Sequence, residues 1–447
     1  MGRISMSDFQ LYPHQVGMVE RHKVLLQKRG VTSDRSETGV GKTPAILQAA
    51  KELQVPFAVI CPKTLISHWT RWCRLMELKP VAILGWEGAK IGKSPRLFNP
   101  KNPGLKWLAE WPDRKVLLIF DEAHRAKSKK SQNSKMVASA AAEGHWLALL
   151  SATLIQNPLD LLGLGYPLKL VAKPYYAFKY AQAFGVGIGP WGGYEDFSSQ
   201  RQKLELYQEL DKVGLRIRKA EICPTMCVHR ADLIDSEKAA TVRGIYEDLE
   251  REIAELAAKK NSAMEEITKR LRARQAAELA KVPIFIEEAL RHLEEGARVA
   301  LFFCFQASID AATVMLKDEL GEVPGLFGVI TGATSLKARD EAIEAFNFGD
   351  SKVLVLNIAA GGEGISLHDQ DGRFPRVGLL SIPESSTHLI QALGRNDRVG
   401  AKSVGLNRIL FCAGTMEERV YENLSGKIRD IETINDGDLS VLSEVMK

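Results

Sequence analysis

Of 447 residues only six are cysteine, and they are scattered along the chain. That spacing excludes a disulfide framework and points to reduced thiols and a cytoplasmic protein. The segment Cys223-x3-Cys227-x-His229 has no second Cys/His pair nearby, so buried thiols are favoured over zinc. No apolar run approaches the length of a membrane span, and the opening MGRISMSDFQ lacks an apolar signal core. A net charge of only +5 is a weak hint of a polyanionic partner. Tryptophan is absent after Trp191, and no internal repeat appears. What is present is an ordinary hydrophobic fraction of 45% and enough chain for two or three domains.

The densest chemistry lies in Ser36-Glu-Thr-Gly-Val-Gly-Lys-Thr43, which has the spacing of a phosphate-binding loop. Gly39 and Gly41 let backbone amides approach phosphates, with Thr38 and Val40 completing the cradle. Lys42 can reach the terminal phosphates, and the Thr43 hydroxyl can ligate Mg²⁺. The following PAILQAAKEL reads as a helix whose N-terminus favours anions. Two features are off-pattern: Ser36 stands where Gly or Ala is usual, and the lead-in GVTSDRS is polar for a strand. Upstream, LYPHQ opens a helix, and Gln15 has the donor and acceptor that suit an adenine edge.

Downstream, PFAVICP reads as a buried parallel strand and KTLISHWTRWCRLM as a helix. Lys63, Thr64 and Ser67 at that junction are candidates for contacts to a phosphate backbone, whereas Trp69 and Trp72 fit a core. Residues 86–113 read as an irregular connection. KVLLIFDEAH then gives an apolar strand ending in Asp121-Glu122. A carboxylate at such a strand end can hold Mg²⁺, and its neighbour can polarise water; alternatively the acidic pair caps a helix. The basic residues after it (Arg125, Lys127, Lys129, Lys130, Lys135) form a solvated or a phosphate-facing surface. HWLALLSATLIQN adds a strand ending in Ser151-Ala-Thr153, a coupling element between two ligands or an ordinary turn.

Residues 166–281 break the rhythm with a Gly/aromatic stretch and a long charged helical segment near 236–281. Within it Lys269, Arg270, Arg272 and Arg274 form a solvated face or a polyanion contact. From about residue 282 strands and helices alternate again, without a second phosphate loop. Gly362 and Gly364 at a strand end permit close backbone approach to a ligand. Arg395 and Arg398, three apart, are expected on one helix face, suited to a polyphosphate or to salt bridges.

The ordered strings LYPHQ, SETGVGKT, VICPKTLISHW, DEAHRAKS, LSATLIQN, LRIRKAEICP, RVALFFCF, VITGAT, LVLNIAAGGEGISL and QALGRNDR resemble superfamily 2 helicases and translocases, nearest their Swi/Snf-like branch. Segments AKVPIFIEEAL and ITGATSLKARDEAIEAF look like annealing-helicase and fork-remodelling members. The resemblance implies an α/β fold of two RecA-like doubly wound parallel-sheet lobes with an inserted helical region. Expected boundaries are 1–165, 166–281 (insertion), 282–425 and a tail over 426–447. It implies ATP and Mg²⁺ as cofactors and DNA, duplex or branched, as partner, with no membrane. Gln15 would read adenine; Lys42 and Thr43 would hold phosphate and Mg²⁺; Asp121 would organise the metal and Glu122 activate water. Ser151 and Thr153 would couple hydrolysis to strand engagement. Gln391, Arg395 and Arg398 would approach the γ-phosphate, with Gly362 and Gly364 near the interlobe cleft. Lys63, Thr64, Phe305, Thr331 and Gly332 match segments lining the nucleic-acid track.

Ser36, Thr38 and the "SAT" string depart from the Swi/Snf pattern, the last two of them toward superfamily 2 helicases in general. No added reader, zinc or nuclease module is recognisable, which points to a minimal motor in a bacterial cytoplasm or, for a viral protein, the host's. The expected activity is a DNA-stimulated ATPase that translocates, with branched-DNA remodelling as its finer form. An RNA-stimulated helicase, and an ATP-dependent clamp or subunit of a restriction or replication complex, are the alternatives.

Overall fold

The computed structural model describes residues 10–92, 94, 116–222, 227–234, 239–257, 263–321, 325–361 and 365–436. Two compact units divide at 223/224, and the first also takes in residues 427–436. Each is built on a six-stranded parallel sheet, so the fold is the two-lobed RecA-like α/β class.

In the first unit the strands are β1 (Val31–Asp34), β2 (Phe57–Cys61), β3 (Ala82–Gly85), β4 (Leu117–Asp121), β5 (Trp146–Leu150), β6 (Val186–Ile188), β7 (Tyr194–Asp196) and β8 (Gly214–Leu215). Six of them form the sheet in the order β3-β2-β4-β5-β1-β8, and β6 and β7 make a separate antiparallel hairpin. Period-two alternation sorts the central strands into two cores. Ala58, Ile60, Leu118, Phe120, Leu147 and Leu149 pack on one face, and Phe57, Val59, Leu117, Ile119, Ala148 and Leu150 on the other.

The polar lead-in strand is nevertheless fully buried, because its side chains find partners. Thr32 Oγ1 lies 2.9 Å from His22 Nδ1, Ser33 Oγ donates to Val213 O at 3.3 Å, and Asp34 Oδ1 accepts the Ser36 N–H at 2.9 Å. His22 Nε2 stands 3.3 Å from Asp34 Oδ2, and the coupling holds the Asp34 carboxyl below its usual range against the opposing effect of burial.

The second unit contains β9 (Cys227–Ile234), β10 (Arg298–Phe303), β11 (Phe327–Ile330), β12 (Val353–Asn357), β13 (Arg376–Ser381) and β14 (Gly405–Cys412). They order as β11-β12-β10-β13-β14-β9, all parallel. Cys227 is buried there, and Cys223 lies outside the described residues.

Several expectations are corrected. The stretch 166–281 is not one insertion: its part before 224 belongs to the first unit, where β8 joins the sheet, and the remainder belongs to the second, where β9 does. The expected boundary at 281/282 falls inside the helix Ala263–Glu294, which runs through Pro283. Ala273, Ala277, Val282, Phe285, Ile286 and Ala289 form one buried stripe along it. Burial of that stripe outweighs the proline penalty of about 3 kcal/mol. Residues 426–436 of the expected tail are the end of the helix Met416–Asp436, and the rest of it lies outside the described residues. β3, β8, β9 and β14 carry weak or polar patterns that sequence periodicity did not separate from loops.

Among the described residues no helix is long and apolar enough to cross a membrane.

Lys281 and Glu417 form a buried ion pair at 2.7 Å, with side chains 0% and 6% exposed. Glu417 also accepts the Cys412 N–H at 3.0 Å, tying the start of the last helix to β14. Replacing either partner alone strands a buried charge. Lys281→Ala and Glu417→Ala should each cost about 3–5 kcal/mol in urea unfolding, and Lys281→Met/Glu417→Leu much less. A loss under about 1 kcal/mol in both single variants would contradict this account.

Candidate active site

The loop between β1 and the helix Lys42–Glu52 turns through two left-handed glycines, Gly39 (φ 91°) and Gly41 (φ 97°). At φ 97° any other residue at Gly41 would be strained, and a Cβ there would sit 1.9 Å from Gln15 Nε2 and displace that amide. Gln15 is buried; it accepts the Tyr12 N–H at 3.0 Å and donates to Val40 O at 3.3 Å. His14 Nε2 lies 2.9 Å from the same carbonyl. The LYPHQ segment is therefore attached to the loop itself. His14 is a residue the sequence reading passed over, since a lone histidine on a helix carries no signal.

Lys42 Nζ donates to Ser36 O at 2.6 Å and Glu37 O at 3.0 Å. Burial lowers its affinity for a proton, opposed by the charges of Asp34, Glu122 and Asp121. Thr43 follows in the first turn of the helix, and Thr38 lies in the turn opening the loop.

Asp121 ends β4, two strands from β1 in the sheet order. Its carboxylate accepts Trp69 Nε1–H at 2.8 Å and the Glu122 N–H at 3.0 Å, and its carbonyl accepts Trp86 Nε1–H at 3.0 Å. The two indoles fix this strand end from the helix Ile66–Leu75 and the short helix Trp86–Lys90. Trp69 was assigned to the core, and it is buried; its polar edge serves the site, a duty helical spacing does not reveal. Burial, reinforced by the like charge of Glu122, pushes the Asp121 carboxyl up to about 7.

Glu122 adopts a left-handed backbone (φ 52°, ψ 47°) and makes no side-chain cap, so the helix-cap reading fails. Its Oε2 lies 3.2 Å from His124 Nδ1, which is also 3.0 Å from Ser151 Oγ. Ser151 Oγ accepts the Thr153 N–H at 3.3 Å. Thus Glu122, His124, Ser151 and Thr153 form one connected chain. Lys127 turns inward to Gln156 Oε1 at 2.7 Å, while Lys129, Lys130 and Lys135 are exposed. Lys63 and Ser67 are also exposed, and Thr64 is half-buried, just beyond the end of β2.

In the second unit Phe305 follows β10 and Thr331-Gly332 follows β11, at strand ends like the first unit's candidates. The Phe305 N–H donates to Glu278 at 3.0 Å, and the Thr331 N–H to Thr334 Oγ1 at 2.9 Å. Gln391 is buried in the helix Ser386–Leu393. That helix stops before Arg395 and Arg398, which corrects the one-face expectation: Gly394 caps it and both arginines lie beyond. They converge instead on one acceptor, Ile365 O, at 3.1 Å from Arg395 Nη1 and 2.8 Å from Arg398 Nη2. Burial lowers the Arg398 guanidinium to about 10. Gly362 and Gly364 lie outside the described residues. The basic cluster on the long helix is largely neutralised, with Lys269 on Glu252, Arg270 on Glu266 and Arg274 on Glu384, which favours the solvated-face reading.

The model of the helicase conserved C-terminal domain matches residues 280–400. A protein of Acanthamoeba polyphaga mimivirus, named as an ATP-dependent RNA helicase, is 29% identical over 96% of this chain and 84% of its own. Together with the ordered motifs, these matches support a superfamily 2, Swi/Snf-like helicase. A chromatin remodelling factor of Schizosaccharomyces pombe is 23% identical over 88% of this chain, which spans only 30% of that relative's length. Among solved structures, a Sulfolobus solfataricus SWI2/SNF2 ATPase core in complex with dsDNA aligns over 98% of this chain and 96% of its own, at 18% identity and a TM-score of 0.39.

The elevated Asp121 carboxyl has a stability consequence. Between its ordinary value of 3.8 and about 7, the unfolded chain has released this proton and the folded chain keeps it. Raising the pH through that window therefore destabilises the fold. Asp121→Asn has no such proton. Without nucleotide or metal, the wild-type melting temperature should fall relative to that of Asp121→Asn as pH rises from about 4 to 7. Parallel melting curves across that range would refute the assignment.

Proposed function

We propose that this chain is a DNA-stimulated ATPase that translocates along nucleic acid with little regard to sequence. The observation that supports it is the arrangement at the ends of β1 and β4: Lys42 beneath a two-glycine loop, under the charges of Asp121 and Glu122. The chain is an ATP-hydrolysing enzyme of the helicase class.

The donor set suits Mg²⁺. Thr43 offers a hydroxyl and Asp121 a carboxylate, both hard oxygens, and the like-charge strain between Asp121 and Glu122 is what a divalent cation relieves. Mg²⁺, when bound there, would neutralise phosphate charge. Lys42 would exchange its two carbonyl acceptors for phosphate oxygens, a direct use for an ammonium otherwise held only by main chain. Glu122 would take the proton of the attacking water. His124 couples its carboxylate to Ser151, so loss or gain of charge at Glu122 is felt at the Ser151–Thr153 turn. Arg395 and Arg398 would leave Ile365 O to stabilise charge on the transferring phosphoryl group. Lys63, Thr64, Ser67, Phe305, Thr331 and Gly332 would meet the nucleic-acid backbone, giving salt-sensitive binding. Branch migration or fork reversal is the finer form of this reading.

RNA stimulation is the second reading, favoured by the name of the mimivirus relative. Hydrolysis rates with forked, four-way, duplex and single-stranded DNA and with RNA decide between them. We expect DNA to stimulate most; the same rate with every nucleic acid and with none would defeat the translocase reading. Glu122→Gln should bind ATP yet lose turnover. Arg395→Ala and Arg398→Ala should each lower kcat by ~10³-fold. Normal turnover in Glu122→Gln would remove it as the base.

A further inference from the structure

One buried cation of the first unit has no part in the roles above. Arg216 follows β8, on a segment that runs beside the opening of the phosphate loop. Arg35 N donates to Leu215 O at 3.0 Å, Glu37 N to Ile217 O at 3.1 Å, and Ile217 N to Ser36 Oγ at 3.1 Å. The Lys219 N–H closes the series on Glu37 Oε2 at 2.9 Å. From this segment the guanidinium reaches three others. Nη1 donates to Arg35 O and, at 3.3 Å, to Ala152 O. Nε and Nη2 grip the Asp436 carboxylate at 2.5 and 2.8 Å, and Glu37 Oε1 stands 3.8 Å away.

Asp436 ends the helix Met416–Asp436, in the part that belongs to the first unit. Its neighbour Asn435 donates to Ile155 O at 3.0 Å and accepts from Arg35 Nη1 at 3.2 Å. The last turn of the helix Met416–Asp436 thus holds both the loop's lead-in and the segment after Ser151. The carbonyls that carry Lys42, those of Ser36 and Glu37, lie in the stretch so fixed.

We propose that Arg216 is a positioning residue for nucleotide: paired with Asp436, it sets the opening of the phosphate loop against the Ala152–Ile155 segment. ATP affinity then depends on the last turn of the helix Met416–Asp436. The inference rests on the phosphate-loop reading of residues 36–43. Its physical basis is charge. Arg216 and Asp436 are 10% and 7% exposed, so the guanidinium needs its carboxylate. Without it, Glu37 at 3.8 Å and the charge of Glu432 are left to balance a cation that stands beside Arg35 and Lys42, both of which already feel its repulsion.

The test compares wild type, Arg216→Ala, Asp436→Asn, Asp436→Glu and the double variant Arg216→Ala/Asp436→Asn in the full chain. Readouts are displacement of a fluorescent ATP analogue, KM and kcat for ATP, and thermal unfolding. We expect Arg216→Ala and Asp436→Asn each to weaken ATP binding and raise KM about 10-fold or more, with a smaller change in kcat. Asp436→Glu should recover most of the affinity, and the double variant should be no worse than Arg216→Ala. A purely structural contact would lower the melting temperature and the active fraction while leaving KM unchanged. That outcome in the folded variants overturns this inference alone. Failure of the wild type to bind ATP overturns the proposed function and this inference with it.

Discussion

Two carboxylates and one ammonium share a poorly solvated corner at the ends of β1 and β4, and the first unit is built to tolerate them. Asp121 and Glu122 repel each other, and Lys42 is too desolvated to settle both. Main chain and indoles carry the balance: Ser36 O and Glu37 O hold the ammonium, and Trp69 and Trp86 hold the strand end. Such an arrangement has more to gain from a polyphosphate with its cation than a fully paired salt bridge would. The strained backbone of Glu122 belongs to the same economy, since it aims that carboxylate at His124 and not at its own helix.

The parallel strands dictate where the chemistry collects. All the first-unit candidates after Gln15 follow the carboxyl ends of β1, β2, β4 and β5, where an open α/β sheet leaves its crevice. This is why apolar runs such as Val116 to Phe120 point to the candidate positions: each run marks a buried strand, and its end marks the crevice. Patterns fail where the physics is not apolar. β1 reads as polar because its side chains are satisfied one by one, by His22, Val213 and Ser36, and no periodicity records that. β8 is two residues long and the apolar run of β9 is broken by His229, Arg230 and Asp232, so neither announces that it completes a sheet. The expected boundary at 281/282 falls inside the helix Ala263–Glu294 because a continuous buried stripe carries that helix through Pro283.

The same limit applies to side-chain direction. Trp69 reads as a core residue and His14 and His124 only as letters of their strings, and nothing in their spacing says that each turns a polar edge toward the loop or the carboxylates. Arg395 and Arg398 show the converse. Their spacing suggested a helix face, but the helix ends at Leu393, and a shared carbonyl brings them together.

Ser36 then becomes intelligible. A glycine or alanine there would leave the Ile217 N–H without its hydroxyl acceptor, and an aligned donor beside a buried loop is costly to strand. Serine at that position, glutamate at 37 and the Leu215–Lys219 segment form one hydrogen-bonded seam. The departure from the usual loop pattern is therefore local compensation, with the loop's opening residue chosen to suit the strand beside it. Gly39, Gly41 and Lys42 are untouched by that choice, so the opening residue can vary while the two-glycine turn and its lysine stay fixed.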